Sequence, residues 1–215
     1  MLVQQGEVRA SPFLGRWRDG VKTILLMRHA ESLRLPDVAR EEWPLSERGH
    51  EAAMHFFGQP HLKAALHVYT SPLLRAVQTA QHADLPMTVD WRLVERRTGM
   101  EMPEVGDCWL RQYEDGTFKC PGGESFEEVA QRMTACMDGI LAELNAGQSA
   151  VVVSHAAAIC AYFKQYCTIC VMDRATKTRE ILWGDKQVYQ GQIPPLMCFR
   201  LTFCQGQLAN IEALL

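Results

Sequence analysis

The segment "TILLMRHAES", residues 23–32, joins a short apolar run to a group of polar side chains. The nearly continuous apolar residues 23–27 are typical of a strand that is buried on both faces of a parallel sheet. Arg28, His29 and Glu31 follow this run at once. Because α/β proteins bind ligands beyond the carboxyl ends of their parallel strands, this segment predicts a functional site directly after the first strand.

Further strand-like runs alternate with helical stretches along the chain. Strands are predicted at 23–28, 66–70, 87–90, 149–154 and 196–203, and helices at 46–57, 72–83, 125–145 and from His155 toward Tyr166. Ser46, Ser71 before Pro72, and the capping box Ser125-x-x-Glu128 mark helix starts. This alternation predicts an α/β fold, a three-layer α/β/α sandwich with a mostly parallel central sheet.

The length of 215 residues suits one domain of generous size. Residues 1–21 lack periodicity and are predicted to be an N-terminal extension, which leaves 22–215 as a single domain. The stretch 96–123 is poorly periodic and long for a plain connection. We therefore expect it to be an insertion that covers the substrate.

Composition excludes several classes of protein. A formal net charge of -3 gives no general attraction to nucleic acid or to an anionic membrane, so we expect neither as a partner. The start of the chain lacks the layout of a signal peptide, and the expected location is cytoplasmic. The eight cysteines are scattered and are expected to be free thiols. The lone C-x-x-C at Cys167 and Cys170 is a weak metal signal, so no metal site and no cofactor are expected.

Polar side chains follow the predicted strands at four comparable places. They are Arg28 and His29, then Arg75 in the S-P-L-L-R segment, then Glu95 and Arg96, and finally His155 after Ser154. The carboxyl ends of parallel strands meet at one edge of a sheet, so these groups are expected to converge on one crevice.

This mixture of residue types favours phosphoryl transfer. Arginine presents a permanently charged fork of donors that matches phosphate oxygens. A neutral imidazole keeps a lone pair near pH 7 and can attack phosphorus, while a carboxyl group can donate a proton to the leaving oxygen. Arginine and histidine would supply the positioning and the charge neutralisation without a metal. The sequence has no P-loop and no H-E-x-x-H motif.

Six ordered blocks of the sequence closely resemble the histidine phosphatase superfamily, in its phosphoglycerate-mutase-like branch 1. They are L-M-R-H-A-E-S (26–32), P-L-S-E-R-G (44–49), S-P-L-L-R-A-V-Q-T-A (71–80), L-V-E-R-R-T-G (93–99), P-G-G-E-S (121–125) and V-V-V-S-H-A (151–156). One R-H-A match alone is weak, but six blocks in the family's order are a specific signal.

The resemblance implies catalytic roles for the polar cluster. His29 would be the nucleophile that carries a phosphohistidine. Arg28 and Arg75 would clamp the phosphoryl group, and His155 would support the charge of the transition state. Such a protein would be a metal-independent phosphatase that acts on a phosphorylated small molecule or a phosphoprotein.

The same resemblance implies roles for three further residues. Glu95 would protonate the leaving group and then activate water against the phosphohistidine. Ser32 would add a hydroxyl to the phosphate or to the leaving group. Arg96 would bind a second anionic group of the substrate.

Two alternatives stay open at the level of sequence. One is a phosphoglycerate-type mutase, which moves phosphate between positions of a substrate; the shorter chain favours hydrolysis. The other is a catalytically weak module that binds a phosphorylated ligand. The second alternative is motivated by Ala30, Leu35 and the pair Ala156-Ala157, which stand where the family usually has glycine or asparagine.

Overall fold

A central sheet of six strands runs through the part of the chain that the computed structural model describes, residues 20–62, 64–100 and 107–214. The strands are β1 (Val21–Arg28), β2 (Ala65–Thr70), β3 (Met87–Val89), β4 (Ser149–Ser154), β8 (Cys198–Cys204) and β9 (Gln207–Leu214). Their order across the sheet is β3-β2-β4-β1-β8-β9. The first four are parallel, and β8 and β9 add an antiparallel edge. The predicted mostly parallel sheet is confirmed.

Five α-helices are seen among the described residues, and they pack on the sheet as two layers. They are α1 (Glu47–Phe57), α2 (Leu74–Gln81), α3 (Cys108–Glu114), α4 (Phe126–Glu143) and α5 (Ala156–Phe163). Ser46 caps α1 by accepting a hydrogen bond from the Gly49 amide, and Ser125 and Glu128 form the predicted capping box of α4.

Alternate residues of the buried strands face the two helix layers. Ile24 and Val152 belong to the core that contains α4 and α5, whereas Leu25 and Val151 pack against α2 and the end of α1. Both faces of β1 and β4 are therefore covered by helices. This burial explains why their sequences are apolar without alternation.

A second sheet of three antiparallel strands follows α5. It consists of β5 (Thr168–Asp173), β6 (Thr178–Trp183) and β7 (Lys186–Gly191). Ile181 is fully buried in the same core as α4 and α5, and the ring of Tyr189 packs against Phe199 of the central sheet. We call these three strands the hairpin sheet.

Four features differ from the sequence predictions, and one of them is the antiparallel edge strand β9, which the strand predictions do not include. The second helix begins at Leu74, not at Pro72, because Leu73 has an extended backbone conformation. The Ser71 hydroxyl accepts a hydrogen bond from the Leu73 amide and also contacts His155. The stretch 96–123 contains α3, which the sequence pattern does not predict, and its residues 101–106 lie outside the described residues. The pattern does not predict the hairpin sheet either.

The predicted extension 1–21 falls mostly outside the described residues, which begin at Gly20. Its last residue, Val21, already belongs to β1. Within the described part of the chain, no helix has both the length and the apolar character that a membrane span requires.

Candidate active site

The ends of three parallel strands are joined by backbone hydrogen bonds. The His29 amide donates to the Ser154 carbonyl at 3.0 Å, and the Ser71 amide donates to the Val153 carbonyl at 3.1 Å. The residues that follow β1, β2 and β4 therefore share one edge of the sheet, as the sequence predicted.

His29 is held in one tautomer. Its Nδ1 lies 2.6 Å from the carbonyl oxygen of Ala30, which can only accept a hydrogen bond, so Nδ1 carries the proton. Its Nε2 accepts a hydrogen bond from Nε of Arg75 at 3.1 Å. The lone pair of Nε2 consequently faces a guanidinium, in a side chain that is only 5% exposed.

His155 lies beside His29, with the two ring centroids 5.0 Å apart. Its Nδ1 is 3.4 Å from Nη2 of Arg75, and its Nε2 donates to the Ser71 hydroxyl at 2.9 Å. Arg75 therefore contacts both imidazoles from one side. The two histidines and Arg75 form a single buried group, which we call the histidine pocket.

Both imidazoles of the histidine pocket are neutral at physiological pH. Burial, followed by the charges of Arg28 and Arg75, lowers the pKa of His29 to about 3. Burial also places the pKa of His155 well below its usual value, with further contributions from His29 and the same two arginines. A neutral ring is the form that can act as a nucleophile.

The two arginines that flank the imidazoles are fixed by backbone carbonyls. Arg75 donates from Nη1 to the Arg40 carbonyl at 2.6 Å, and Arg28 donates from Nη1 to the Ile193 carbonyl. Burial lowers the pKa of both guanidiniums, while the nearby carboxylate of Glu95 opposes that effect. Both remain cationic because arginine starts from a very high pKa.

Glu95 is oriented by the backbone of α5 and of its own neighbour. Its Oε1 accepts hydrogen bonds from the amides of Arg96 at 2.8 Å and Ala158 at 3.0 Å, and Oε2 accepts from the amide of Ala157 at 3.3 Å. The carboxyl group thus lies at the N-terminus of the helix that follows His155, which is a favourable place for an acidic group.

The structure does not bring Arg96 and Ser32 into contact with the two imidazoles. Arg96 is buried, donates to the Glu124 carbonyl at 3.0 Å and packs on the ring of Phe126. Ser32 forms a backbone bridge to Leu45, and its hydroxyl has no hydrogen-bond partner among the described residues. Their expected contacts with substrate stay predictions.

Glu124, the other carboxyl group in a motif-like block, holds structure together. It forms an ion pair with Arg132 at 3.0 Å and accepts a hydrogen bond from the Arg97 amide at 2.9 Å. Burial alone would raise the pKa of Glu124, but these partners lower it. Glu124 is therefore a fixed anion that joins α4 to the segment after Glu95.

The alanines that replace the family's glycines impose no backbone strain. Ala30 and Ala156 are not among the residues with positive φ, and Ala156 and Ala157 begin α5. The Ala30 amide donates to the Thr79 hydroxyl at 3.0 Å, which fixes the turn after His29. By contrast, Gly49 is required, because a Cβ atom there would lie 2.1 Å from the Glu31 carbonyl oxygen.

Sequence reasoning misses two residues that shape the pocket. It predicts Ser71 only as a helix cap, although its place after β2 matches that of His29 after β1. It does not single out Thr79, whose hydroxyl bridges the Ala30 amide and the Arg75 carbonyl. Thr79 lies four residues after Arg75, on the same face of α2, and this spacing is the available signal.

The model of the histidine phosphatase superfamily (branch 1) matches residues 24–175, which include the whole histidine pocket. The chain belongs to this superfamily. Among curated relatives, the probable phosphoglycerate mutase GpmB of Salmonella typhi is 29% identical over 152 residues, which cover 63% of this chain and 70% of the relative. The protein of the same name from Cronobacter sakazakii is 30% identical with the same coverage.

Solved structures share the fold of this member of the histidine phosphatase superfamily at lower identity. A mycobacterial glucosyl-3-phosphoglycerate phosphatase superposes with a TM-score of 0.63 at 20% identity, over 90% of this chain and 97% of that one. A protein from Thermus thermophilus superposes with a TM-score of 0.58 at 22% identity, over 89% and 99% of the two chains. The α/β fold is thereby confirmed, and the specific reaction is a separate question.

Proposed function

We propose that this histidine phosphatase hydrolyses a phosphomonoester through a phosphohistidine on His29, without a metal. The observation that carries the proposal is the neutral imidazole of His29, whose Nε2 lone pair faces Arg75 in a buried pocket. A nucleophile that is neutral, fixed in one tautomer and surrounded by cations suits attack on a phosphoryl dianion.

In the first step, the Nε–H of Arg75 shifts from Nε2 of His29 to a phosphoryl oxygen. The freed lone pair of Nε2 attacks phosphorus while the bond from phosphorus to the leaving oxygen breaks. Arg28 and Arg75 balance the charge of the phosphoryl oxygens. His155 borders these oxygens from the adjacent side and donates to one of them when its Nε2–H exchanges the Ser71 hydroxyl for the substrate. Glu95 in its acid form gives a proton to the leaving oxygen. Oε1 of Glu95 accepts two backbone hydrogen bonds, whereas Oε2 accepts one, at 3.3 Å. Oε2 is therefore assigned the proton transfer.

In the second step, water attacks the phosphohistidine on the side that the alcohol has left. Glu95, now a carboxylate, takes a proton from that water as the bond between phosphorus and Nε2 breaks. Phosphate is released, and His29 returns to its neutral form. Positioning and charge neutralisation, which dominate phosphoryl transfer, come from this chain's own residues.

The named relatives support this class of chemistry. A structural neighbour is a glucosyl-3-phosphoglycerate phosphatase, and that protein has also been solved with inorganic phosphate. The curated relatives are named as probable phosphoglycerate mutases, which also handle phosphate esters. Both names fit a pocket that accepts one phosphoryl group.

The proposal is tested by turnover of a panel of phosphorylated metabolites, phosphopeptides and p-nitrophenyl phosphate. We expect release of phosphate, and a loss of about 10⁴-fold or more in kcat for His29→Ala, since the nucleophile is removed. His55→Ala, at an exposed position of α1, is the matched control and should keep full activity. Unchanged turnover in His29→Ala would refute the mechanism.

The mutase alternative is favoured by the names of the curated relatives. It predicts interconversion of 3-phosphoglycerate and 2-phosphoglycerate that depends on added 2,3-bisphosphoglycerate, with little release of phosphate. Tight binding of phosphorylated ligands with no turnover of any ester would instead indicate the binding module.

A further inference from the structure

Arg179 of β6 is a buried cation on the inner face of the hairpin sheet. It is 4% exposed, and it lies two residues before the fully buried Ile181, on the same face of the strand. Its Nε has no hydrogen-bond partner among the described residues. A buried guanidinium donor without a partner is costly, so it calls for a physical explanation.

Aromatic side chains of α3 support the guanidinium of Arg179. Its central carbon lies 5.5 Å from the ring centroids of both Trp109 and Tyr113. The ring of Tyr113 in turn packs edge-on against Phe126 at the start of α4. The guanidinium of Arg96 lies over the Phe126 ring. The position of Arg179 is therefore fixed by a continuous set of packed rings beside the segment that carries Glu95.

Backbone pairing brings Arg179 close to the histidine pocket. Arg179 is the register partner of Gly191 in β7, and two residues later the Ile193 carbonyl accepts a hydrogen bond from Arg28. Two residues of extended chain span roughly 7 Å. Consistently, Arg179 is near enough to Arg28 to lower its pKa after the larger effect of burial.

Positive charge exceeds negative charge around Glu95. Its carboxylate acts electrostatically on four guanidiniums, those of Arg28, Arg75, Arg96 and Arg179. None of the four belongs to the ion pairs found among the described residues. Glu124 also acts on Arg96 and Glu41 on Arg75, whereas Glu95 is the carboxylate that acts on Arg28 and Arg179. When Glu95 is in its acid form and a phosphoryl dianion lies against Arg28, Arg179 lacks an anionic partner, which favours a substrate with a further negative group.

We propose that Arg179 is a specificity-determining residue that binds a second anionic group, a carboxylate or a phosphate, on the leaving-group side of the substrate. The leaving oxygen must lie within hydrogen-bond reach of Glu95. Since the Glu95 carboxylate acts on the Arg179 guanidinium, the proposal places the rest of the leaving group between these two side chains. The family model ends at residue 175, before Arg179, and thus assigns it no role. This inference rests on the proposed function and specifies its substrate class.

The test compares two esters that differ in one group. 3-Phosphoglycerate carries a carboxylate where glycerol 3-phosphate carries a hydroxymethyl group, and p-nitrophenyl phosphate has no second anion. We expect the native protein to prefer 3-phosphoglycerate over glycerol 3-phosphate by about 10-fold or more in kcat/KM, the effect of one charged hydrogen bond. Arg179→Met should abolish this preference by raising KM, with p-nitrophenyl phosphate turnover unchanged.

Two further variants control for structural damage. Arg200→Met removes a partly exposed, ion-paired arginine of β8 and should keep the full preference. Arg179→Lys keeps the positive charge and should retain part of the preference for 3-phosphoglycerate. A native protein without the preference, a preference that survives in Arg179→Met, or an equal loss on all three esters would overturn the inference.

A failure of the proposed function gives a different result. If no ester is hydrolysed by the native protein, phosphatase chemistry is refuted, and calorimetric binding of the same two esters tests Arg179 by itself. Tighter binding of 3-phosphoglycerate that is lost in Arg179→Met supports the second anion site. Equal binding of both esters refutes it.

Discussion

The Glu95 carboxylate acts electrostatically both on Arg75 of the histidine pocket and on Arg179 of the hairpin sheet, but the polar groups of these two regions are satisfied to different degrees. In the histidine pocket, Nδ1 and Nε2 of both imidazoles have hydrogen-bond partners. Nε of Arg179, by contrast, has no partner among the described residues, and the same holds for Nε of Arg28 and of Arg96. Under the proposed function, the imidazoles are organised in advance, whereas these guanidinium donors are completed by substrate.

The largest effect within this comparison is expected at Glu95, whose carboxylate acts on arginines of both regions. Glu95→Gln keeps the shape but cannot exchange a proton, so kcat should fall by about 10²- to 10⁴-fold for alkyl phosphates. The loss should be much smaller for the formation of phosphohistidine from p-nitrophenyl phosphate, whose leaving group needs no proton. Rapid-mixing kinetics of nitrophenol release measure this step.

Glu124→Gln is the matched control for Glu95→Gln. Glu124 holds Arg132 and the Arg97 amide, so its loss should lower the melting temperature and affect all esters equally. If Glu95→Gln showed the same uniform pattern, Glu95 would be a structural residue and the proton transfer would have to be assigned elsewhere.

A second prediction concerns the pH dependence of the free energy of unfolding, to which the neutral histidines contribute and the permanently charged arginines do not. His29 has a pKa of about 3 in the folded protein and about 6.5 when unfolded, so the unfolded state binds more protons between these values. The contribution of neutral His29 to the free energy of unfolding is thus complete above pH 6.5 and is lost as the pH falls from 6.5 toward 3. Each neutral buried histidine should lower the free energy of unfolding by about 1.4 kcal/mol for each pH unit below pH 6.5.

Denaturant unfolding between pH 7 and pH 5.5 measures this loss. The native protein should lose stability with falling pH more steeply than His29→Gln, which lacks one of the two neutral imidazoles. An NMR titration in which the His29 ring protonates near pH 6.5 would contradict the account of the pocket, whereas unchanged ring signals down to pH 5 would agree with it.

The smallest effect is expected at Trp109, on the side of the hairpin sheet. Its ring supports the guanidinium of Arg179, a contact of roughly 0.5–1 kcal/mol, so Trp109→Leu should raise KM for 3-phosphoglycerate by about 3-fold. Turnover of p-nitrophenyl phosphate should not change. Trp91→Leu, at a position 73% exposed, is the control. Equal losses on both esters would mean that Trp109 acts through folding alone.

The two regions also differ in how well the sequence predicts them. The central strands and α4 follow from apolar runs and from the capping box at Ser125, and the site follows from polar residues at strand ends. In β6 the inward-facing positions hold Arg179 and Ile181, so the alternation of polar and apolar residues is hidden. A buried charge is read as a surface residue unless the tertiary structure is known.

Two further misses have equally local causes. Helix α3 has seven residues, which is too short for a helical period to stand out from the irregular stretch around it. Ser71 precedes Pro72 in the order that favours a helix start, and its hydroxyl does accept a local hydrogen bond from the Leu73 amide. The same hydroxyl also contacts Nε2 of His155, and a local pattern cannot reveal this tertiary contact.

The most direct test of the central claim is to trap the reaction intermediate. The protein is mixed with ³²P-labelled substrate, quenched in base to preserve phosphohistidine, and digested for peptide mapping. The account predicts one labelled peptide that contains His29, phosphorylated on Nε2, and no label in His29→Ala. Label on any other residue, or turnover in which the native protein is never labelled, would contradict it.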